Sequence, residues 1–389
     1  PVIGEDASDD IGGSGHPFRF EVTASDNIQV SAVEVTYWIG GDRASIPMGA
    51  VGGSYSAEVD LPQVLENLKY VFTVTDSSGL VTESLLVSMD IIDIDVPVIS
   101  LEHPGTATTG DPYVVTCHLD DNIALSEAWM EWGIDDLTER QPIPLTDGDP
   151  FLVTVAVPHS AGTLHFVVHA RDTSGNDDSS AEMAVEVVDN DEPFLLEDLT
   201  ESTAYTGRDQ TISVHVDDNI AVGEVVVTYS FDGRDILEGI LEPTTSIHSL
   251  SIHVPEDARV LEYRITIVDT SDNTNGTGVR KVTVLDVIAP TLNGSGDISI
   301  HTGNSFILTA NGSDNRDRVD ITTHLRYPGG DWTDRAIRAG TAFNLSITSE
   351  VLNASTKGFC GVIQFWVEAE DASGNSVSIG GEDDPHLIT

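Results

Sequence analysis

The chain of 389 residues carries 65 Asp and Glu against 17 Lys and Arg, a formal net charge of -48 at pH 7. That surface excludes docking to a nucleic-acid backbone, which needs Lys and Arg against phosphates, and it disfavours anionic membranes. Hydrophobic side chains make up 40% of the residues, enough for packed cores. No apolar run approaches the 18 residues of a crossing helix, so no direct membrane insertion is expected. What the charge invites is cations. It reads as a solubilising, halophile-like surface or as ordered divalent sites, and the two are compatible.

One unit recurs along the chain. Pro1, Pro97, Pro193, Pro290 and Pro385 stand 96, 96, 97 and 95 residues apart. Asp-Asn pairs recur in step at Asp26, Asp121, Asp218 and Asp314, and an Asp-x-Ser triplet at Asp76, Asp172, Asp269 and Asp371. A period this long lets each unit fold by itself. The expected repeats are residues 1–96, 97–192, 193–289 and 290–384. Residues 385–389, which begin Pro385-His386-Leu387-Ile388, read as the start of a further repeat or as a terminal assembly segment.

Within a unit, a strand follows the Asp-Asn pair. Val30, Val33, Val35 and Tyr37 have counterparts in Leu125, Ala128, Met130 and Trp132, then in Val222, Val225, Val227 and Tyr229. The fourth unit departs, with Arg316-Asp317-Arg318 and a two-residue shift to Leu325 and Tyr327. Leu61 to Glu66 reads as a single helical turn. The segment entering each Asp-x-Ser has period two. Tyr70, Phe166, Tyr263 and Phe365 stand six before the Asp, with aliphatics or Ala four and two before it. That is a half-buried antiparallel strand, and His169 falls on its outward face. Short strands between frequent turn signals predict an all-β chain of four tandem β-sandwiches in a linear array.

The frame of strand, Asp172-Thr173-Ser174-Gly175-Asn176 or Asp371-Ala372-Ser373-Gly374-Asn375, strand and Pro resembles bacterial and archaeal immunoglobulin-like surface domains. These lie close to the cadherin and fibronectin type III architecture. The resemblance covers the whole chain, without the antibody-type disulfide. In such a sandwich the Asp-Asn and Asp-x-Ser loops lie at the end where the chain arrives from the previous unit. The arriving linkers are themselves acidic, and Asp189-Asn190-Asp191-Glu192-Pro193 is similar to a cadherin calcium linker. Each junction is therefore expected to gather carboxylates. At the first these are Asp93, Asp95, Asp120, Asp121 and Asp172; at the second, Asp189, Asp191, Asp217, Asp218 and Asp269. The third offers Asp286, Asp314 and Asp371, and with one acid left in its linker turn chemistry alone reads more strongly there. Ca2+ suits such groups, because it takes six to eight oxygens in a flexible shell. The competing reading is that Asp, Asn, Ser and Gly simply make good turns.

Cys117 and Cys360 lie in different units and read as two buried thiols. Five glycosylation sequons, Asn275, Asn293, Asn311, Asn344 and Asn353, fall after residue 274 and none before. No nucleophile elbow, zinc-protease helix, P-loop or dinucleotide fingerprint is present, so no catalytic residue is expected. The reading is an extracellular structural protein, a subunit of a surface layer or filament. Its partner would be itself, head to tail. The alternatives are an adhesin stalk and the accessory region of a secreted enzyme.

Overall fold

The computed structural model describes residues 1–146, 148–300, 308–316, 318–338 and 361–389. The chain forms two compact units, Pro1–Asn190 and Asp191–Thr389. Among the described residues every regular element is a strand. The first repeat sets the pattern with β1 (Val2–Asp6), β2 (Gly12–Gly13), β3 (Pro17–Ser25), β4 (Val30–Ile39), β5 (Asp42–Pro47), β6 (Gly49–Val51), β7 (Ser54–Asp60), β8 (Asn67–Asp76), β9 (Val81–Glu83) and β10 (Val87–Ile92). One sheet runs β1-β3-β7-β6. The other runs β2-β10-β8-β4-β5, with β9 added on β8. Pairing is antiparallel except for β2 beside β10. Two such sheets, joined by crossing connections, are an immunoglobulin-like sandwich.

The later repeats follow the same order. Thr106–Thr108, Met183–Val188, Gly162–Asp172, Leu125–Ile134 and Glu139–Pro142 form the larger sheet of the second, and Thr203–Tyr205, Arg280–Leu285, Val260–Asp269, Val222–Phe231 and Leu237–Ile240 that of the third. In the fourth, Thr291–Gly294 pairs with Ala310–Ser313, and Trp332–Arg338, Val319–Arg326, Ile363–Asp371 and Ser376–Ile379 lie side by side. The chain is thus all-β, with immunoglobulin-like sandwiches in tandem.

The predicted aromatic column is the centre of each core. Tyr70, Phe166, Tyr263 and Phe365 are all buried, as are Phe72 and Val74, Val168 and Ala170, Ile265 and Ile267, and Val367 and Ala369 after them. Burying each aromatic contributes roughly 1.5–3 kcal/mol. A buried phenol also needs a partner. Tyr70 donates to Asp6 Oδ2 (2.9 Å) and Tyr263 to Asp198 Oδ2 (2.6 Å). Burial pushes both hydroxyls up to about 12.

The three-residue step from Val30 to Val33 has a structural cause. A β-bulge lies between Val30 and Ala32, and others between Leu125 and Glu127 and between Val222 and Glu224. In the first two, the bulged Ser31 and Ser126 donate their hydroxyls to the carbonyls of Thr75 and Asp76, and of Arg171 and Asp172. The bulge therefore ties the strand to the end that carries the turn Asp. Val319–Arg326 pairs without such a shift, Leu325 facing Phe365 where Tyr37 faces Tyr70.

β9 and β10 are one strand broken after Ser84. The Ser84 hydroxyl accepts from the Phe72 N–H (2.9 Å) and donates to the Leu85 carbonyl (2.8 Å). Ser180 does the same with Val168 and Ala181, and Thr277 accepts from Ile265 N–H. Each stands eight residues after its turn Asp.

Two expectations are corrected. Leu61–Glu66 contains no helical turn; Leu61 is buried and the segment bends. Residues 385–389 do not open another unit. His386–Ile388 pairs with the fourth repeat's own Ile363–Asp371, placing His386 opposite Phe365. Val87, Met183 and Arg280 face Tyr70, Phe166 and Tyr263 in the same way. Those three stand 11 residues after their turn Asp, and His386 stands 15 after Asp371. The longer detour through Gly380–Asp384 brings Pro385 into apparent step with the linker prolines. Pro97, Pro193 and Pro290 are buried, whereas Pro385 is not.

Candidate cation sites at the repeat junctions

The Asp of each Asp-Asn pair closes its own loop. Asp26 Oδ2 accepts from the N–H groups of Ile28 and Gln29, Asp121 Oδ2 from Ile123 and Ala124, Asp218 Oδ2 from Ile220 and Ala221, and Asp314 Oδ2 from Arg316. The Asp-x-Ser carboxylates do likewise and are all buried. Asp172 Oδ1 accepts from the amides of Ser174 (2.8 Å), Gly175 (2.6 Å) and Asn176 (2.8 Å). Asp76, Asp269 and Asp371 accept from the equivalent turns. Turn chemistry is therefore present throughout. It uses one oxygen of most of these carboxylates and leaves the other to point elsewhere.

In the first unit carboxylates of the linker and of both loops converge. Ligand oxygens of Asp93, Asp121 and Asp172 all lie within 4.8 Å of one another. Asn176 Nδ2 donates to Asp172 Oδ2 (2.7 Å) and to the Asp93 carbonyl (3.2 Å). Asp121 Oδ1 and Asn122 Oδ1 are sealed from water and have no hydrogen-bond partner. Burial pushes the Asp93 carboxyl up, and the charges of Asp121 and Asp172 add to the effect. Burial also raises Asp172, but the Asn176 side chain and the amides of Asn176, Gly175 and Ser174 outweigh it and hold that carboxyl low. Buried, unpartnered oxygens beside crowded carboxylates fit a hard cation. Asp93, Asp121 and Asp172 could hold it, with the Asn122 amide oxygen.

The second unit repeats the arrangement, although its linker has one acid. Asp286, Asp314 and Asp371 also bring oxygens within 4.8 Å of one another. Asp286 Oδ1 accepts from Thr206 Oγ1 (2.9 Å), Ile288 N–H (3.2 Å) and Asn315 Nδ2 (3.3 Å), while its Oδ2 and Asn315 Oδ1 are sealed without partners. Asn375 Nδ2 bridges Asp371 Oδ2 (2.8 Å) and the Asp286 carbonyl (3.3 Å).

Two acids named for the first junction, Asp95 and Asp120, lie outside its cluster. Asp95 Oδ1 faces His16 Nε2 at 2.7 Å and its Oδ2 accepts from Asn122 Nδ2 (3.0 Å). Asp120 is exposed in the strand ladder, opposite Val98. Asp189, in the first unit, accepts from Thr109 Oγ1 (2.9 Å). In the second unit Asp191 is half-buried, Asp217 is exposed and accepts from Asp218 N–H, and Asp269 Oδ2 accepts from Asn273 Nδ2 (2.8 Å). The amides of Asn122, Asn176, Asn315 and Asn375 and the side chain of His16 escaped the sequence reading. The first four had a signal in the fixed Asp-Asn and Gly-Asn pairs; His16 had none.

Asn275, Asn293 and Asn311 are exposed, the last two directly opposite each other in an antiparallel pair. Asn344, Asn353 and Cys360 lie outside the described residues. Cys117 is fully buried, and burial pushes its thiol up to about 11. No helix among the described residues is long and apolar enough to cross a membrane.

No protein-family model and no curated protein matches the chain. Similar solved structures include a tetra-tandem repeat from the extending region of a large adhesion protein, at 15% identity over 95% of this chain and 96% of that one, TM-score 0.39. A Ca2+-stabilised adhesin that helps an Antarctic bacterium bind ice is 15% identical over 100% and 98%, TM-score 0.34. A titin I-band fragment is 12% identical over 74% and 100%, TM-score 0.40. Likeness at this level carries no ligand or role to this chain, and the immunoglobulin-like fold stands on its own strand order.

Proposed function

We propose that this chain is a non-catalytic structural protein of the cell exterior, a run of immunoglobulin-like sandwiches in which Ca2+ stiffens the junction between the first two repeats. The observation that carries the reading is the trio Asp93, Asp121 and Asp172, brought from a linker and two loops to within 4.8 Å at a junction. A cation there ties the linker to both loops and so fixes one repeat against the next. Its absence leaves three carboxylates repelling one another in a buried space. Copies of the chain, arranged as a layer or filament, are the proposed partners. Sedimentation separates that assembly from a monomeric stalk.

The test is a melt of the full chain. Ca2+ at a hundredfold above its Kd is expected to add about 2.7 kcal/mol over the chelated chain, since it binds the folded site alone. Asp93→Asn, at the junction between the first two repeats, is expected to remove the gain. Identical melts with and without chelator would leave the carboxylates as turn-closing groups and nothing more.

A further inference from the structure

We infer that Arg316 makes the junction between the third and fourth repeats self-locking, closed without the cation that the junction between the first and second requires. The inference rests on the calcium reading for that contrast, while the lock itself is a property of the cation-free chain. Three Asp-Asn loops continue with an aliphatic residue, Ile28, Ile123 and Ile220, and the fourth continues with Arg316. An Ile side chain has nothing to donate. Arg316 Nη1 reaches back across the junction to the Val284 carbonyl (3.1 Å), on the last strand of the third repeat, Arg280–Leu285.

The third repeat answers with links of its own. Arg259 Nη2 donates to the Arg316 carbonyl (3.1 Å). Asn315 Nδ2 donates to the Glu256 carbonyl and to Asp286 Oδ1. Residues 256–259 and 284 are thereby bound directly to 315–316. A guanidinium is always charged, and hydrogen bonds from charged donors are stronger than neutral ones. Arg316 also places one fixed positive charge in the loop that holds Asp314, at a junction with three carboxylates. In the first unit the corresponding links run through the linker, from Asn122 to Asp95 and from Asn176 to the Asp93 carbonyl. Removing a cation there sets the carboxylates against the very segment that joins the repeats, and Ile123 offers no compensating charge.

Hydrogen–deuterium exchange on the full chain, in Ca2+ and in chelator, tests this residue by residue. In the wild type, chelator is expected to speed exchange at 93–95 and 121–124 roughly tenfold and to change 286–288 and 315–316 by less than about twofold. Arg316→Ile, which installs the residue of the other loops, is expected to speed exchange at 256–259 and 286–288 roughly tenfold in chelator, with Ca2+ slowing it again. Arg259→Met, which removes the reciprocal donor, is expected to act in the same direction and more weakly. Unchanged protection of 319–326 and 363–371 reports that each variant is folded. A wild-type second-unit junction as sensitive to chelator as the first would overturn the lock. So would an Arg316→Ile chain with unchanged exchange in chelator. If Ca2+ alters neither junction of the wild type, the calcium reading fails, and the chelator comparison of Arg316→Ile with wild type still decides the lock.

Discussion

The first three repeats and the fourth share one frame but differ in how the strands reach it. In the first three, a bulge lies in the opening residues of the strand that faces the aromatic column, and the last strand breaks at a hydroxyl residue. In the fourth the facing strand runs without a register shift, Ile379 stands where the others have Ser or Thr, and the chain detours before rejoining at His386. Both Asp loops persist nonetheless. Closing such a turn needs amides only two to four residues away, so it is indifferent to what the strands do. Strand flanks are fixed by pairing with a neighbour, and a change of two or four residues can be absorbed wherever the sheet meets a loop.

The strongest attempt to break this comparison is at the aromatic column. Phe166→Ala and Phe365→Ala are each expected to cost about 3–5 kcal/mol, although Phe166 faces Trp132 and Phe365 faces Leu325. Calorimetry on the full chain measures both. A much smaller loss for Phe365→Ala would mean that the fourth repeat is not built around the same column. A middle-sized effect is expected from Ser180→Ala, which strips the Val168 amide of its side-chain acceptor and costs about 1–3 kcal/mol. Denaturant melts check it, and a neutral result would show that the strand break needs no hydroxyl in the first three repeats either.

The smallest change has the opposite sign. Burial holds the Asp93 carboxyl above its ordinary range. Its contribution to stability is therefore present below the unfolded-state pKa and is lost as pH rises through the folded value. In chelator, Asp93→Asn is expected to stabilise the chain at neutral pH and to flatten the pH dependence above the carboxylate range. Melts across pH decide it, and a loss of stability at neutral pH would contradict the crowding of Asp93 by Asp121 and Asp172.

The sandwich was legible because two signals agree. Period-two alternation marks the core face, and the Asp loops mark where each strand must stop. The bulge was visible as an unexplained step from Val30 to Val33. The broken last strand was missed, although Ser84, Ser180 and Thr277 recur at one offset, because a hydroxyl on a strand is ordinarily silent. Pro385 misled because a proline's position says nothing of its burial. At the junctions, adjacent acids such as Asp120 and Asp121 look equivalent in sequence. Asp120 ends its strand and Asp121 opens the loop, and only Asp121 reaches the cluster. Arg316 read as a departure from the pattern, since nothing local reveals that its side chain ends on Val284.

The parallel pairing of β2 with β10 has a mechanical consequence. It recurs as Thr106–Thr108 beside Met183–Val188, as Thr203–Tyr205 beside Arg280–Leu285, and as Ile298 beside Ile388, where Ile298 and Ile300 N–H donate to the Leu387 and Thr389 carbonyls. The first strand of each pair leads into its repeat and the second leads out. A pull on the two ends drags these neighbours past each other along their length. Their hydrogen bonds are then loaded together in shear and not opened one after another like a zip, so each repeat resists tension best along the direction in which the backbone transmits it.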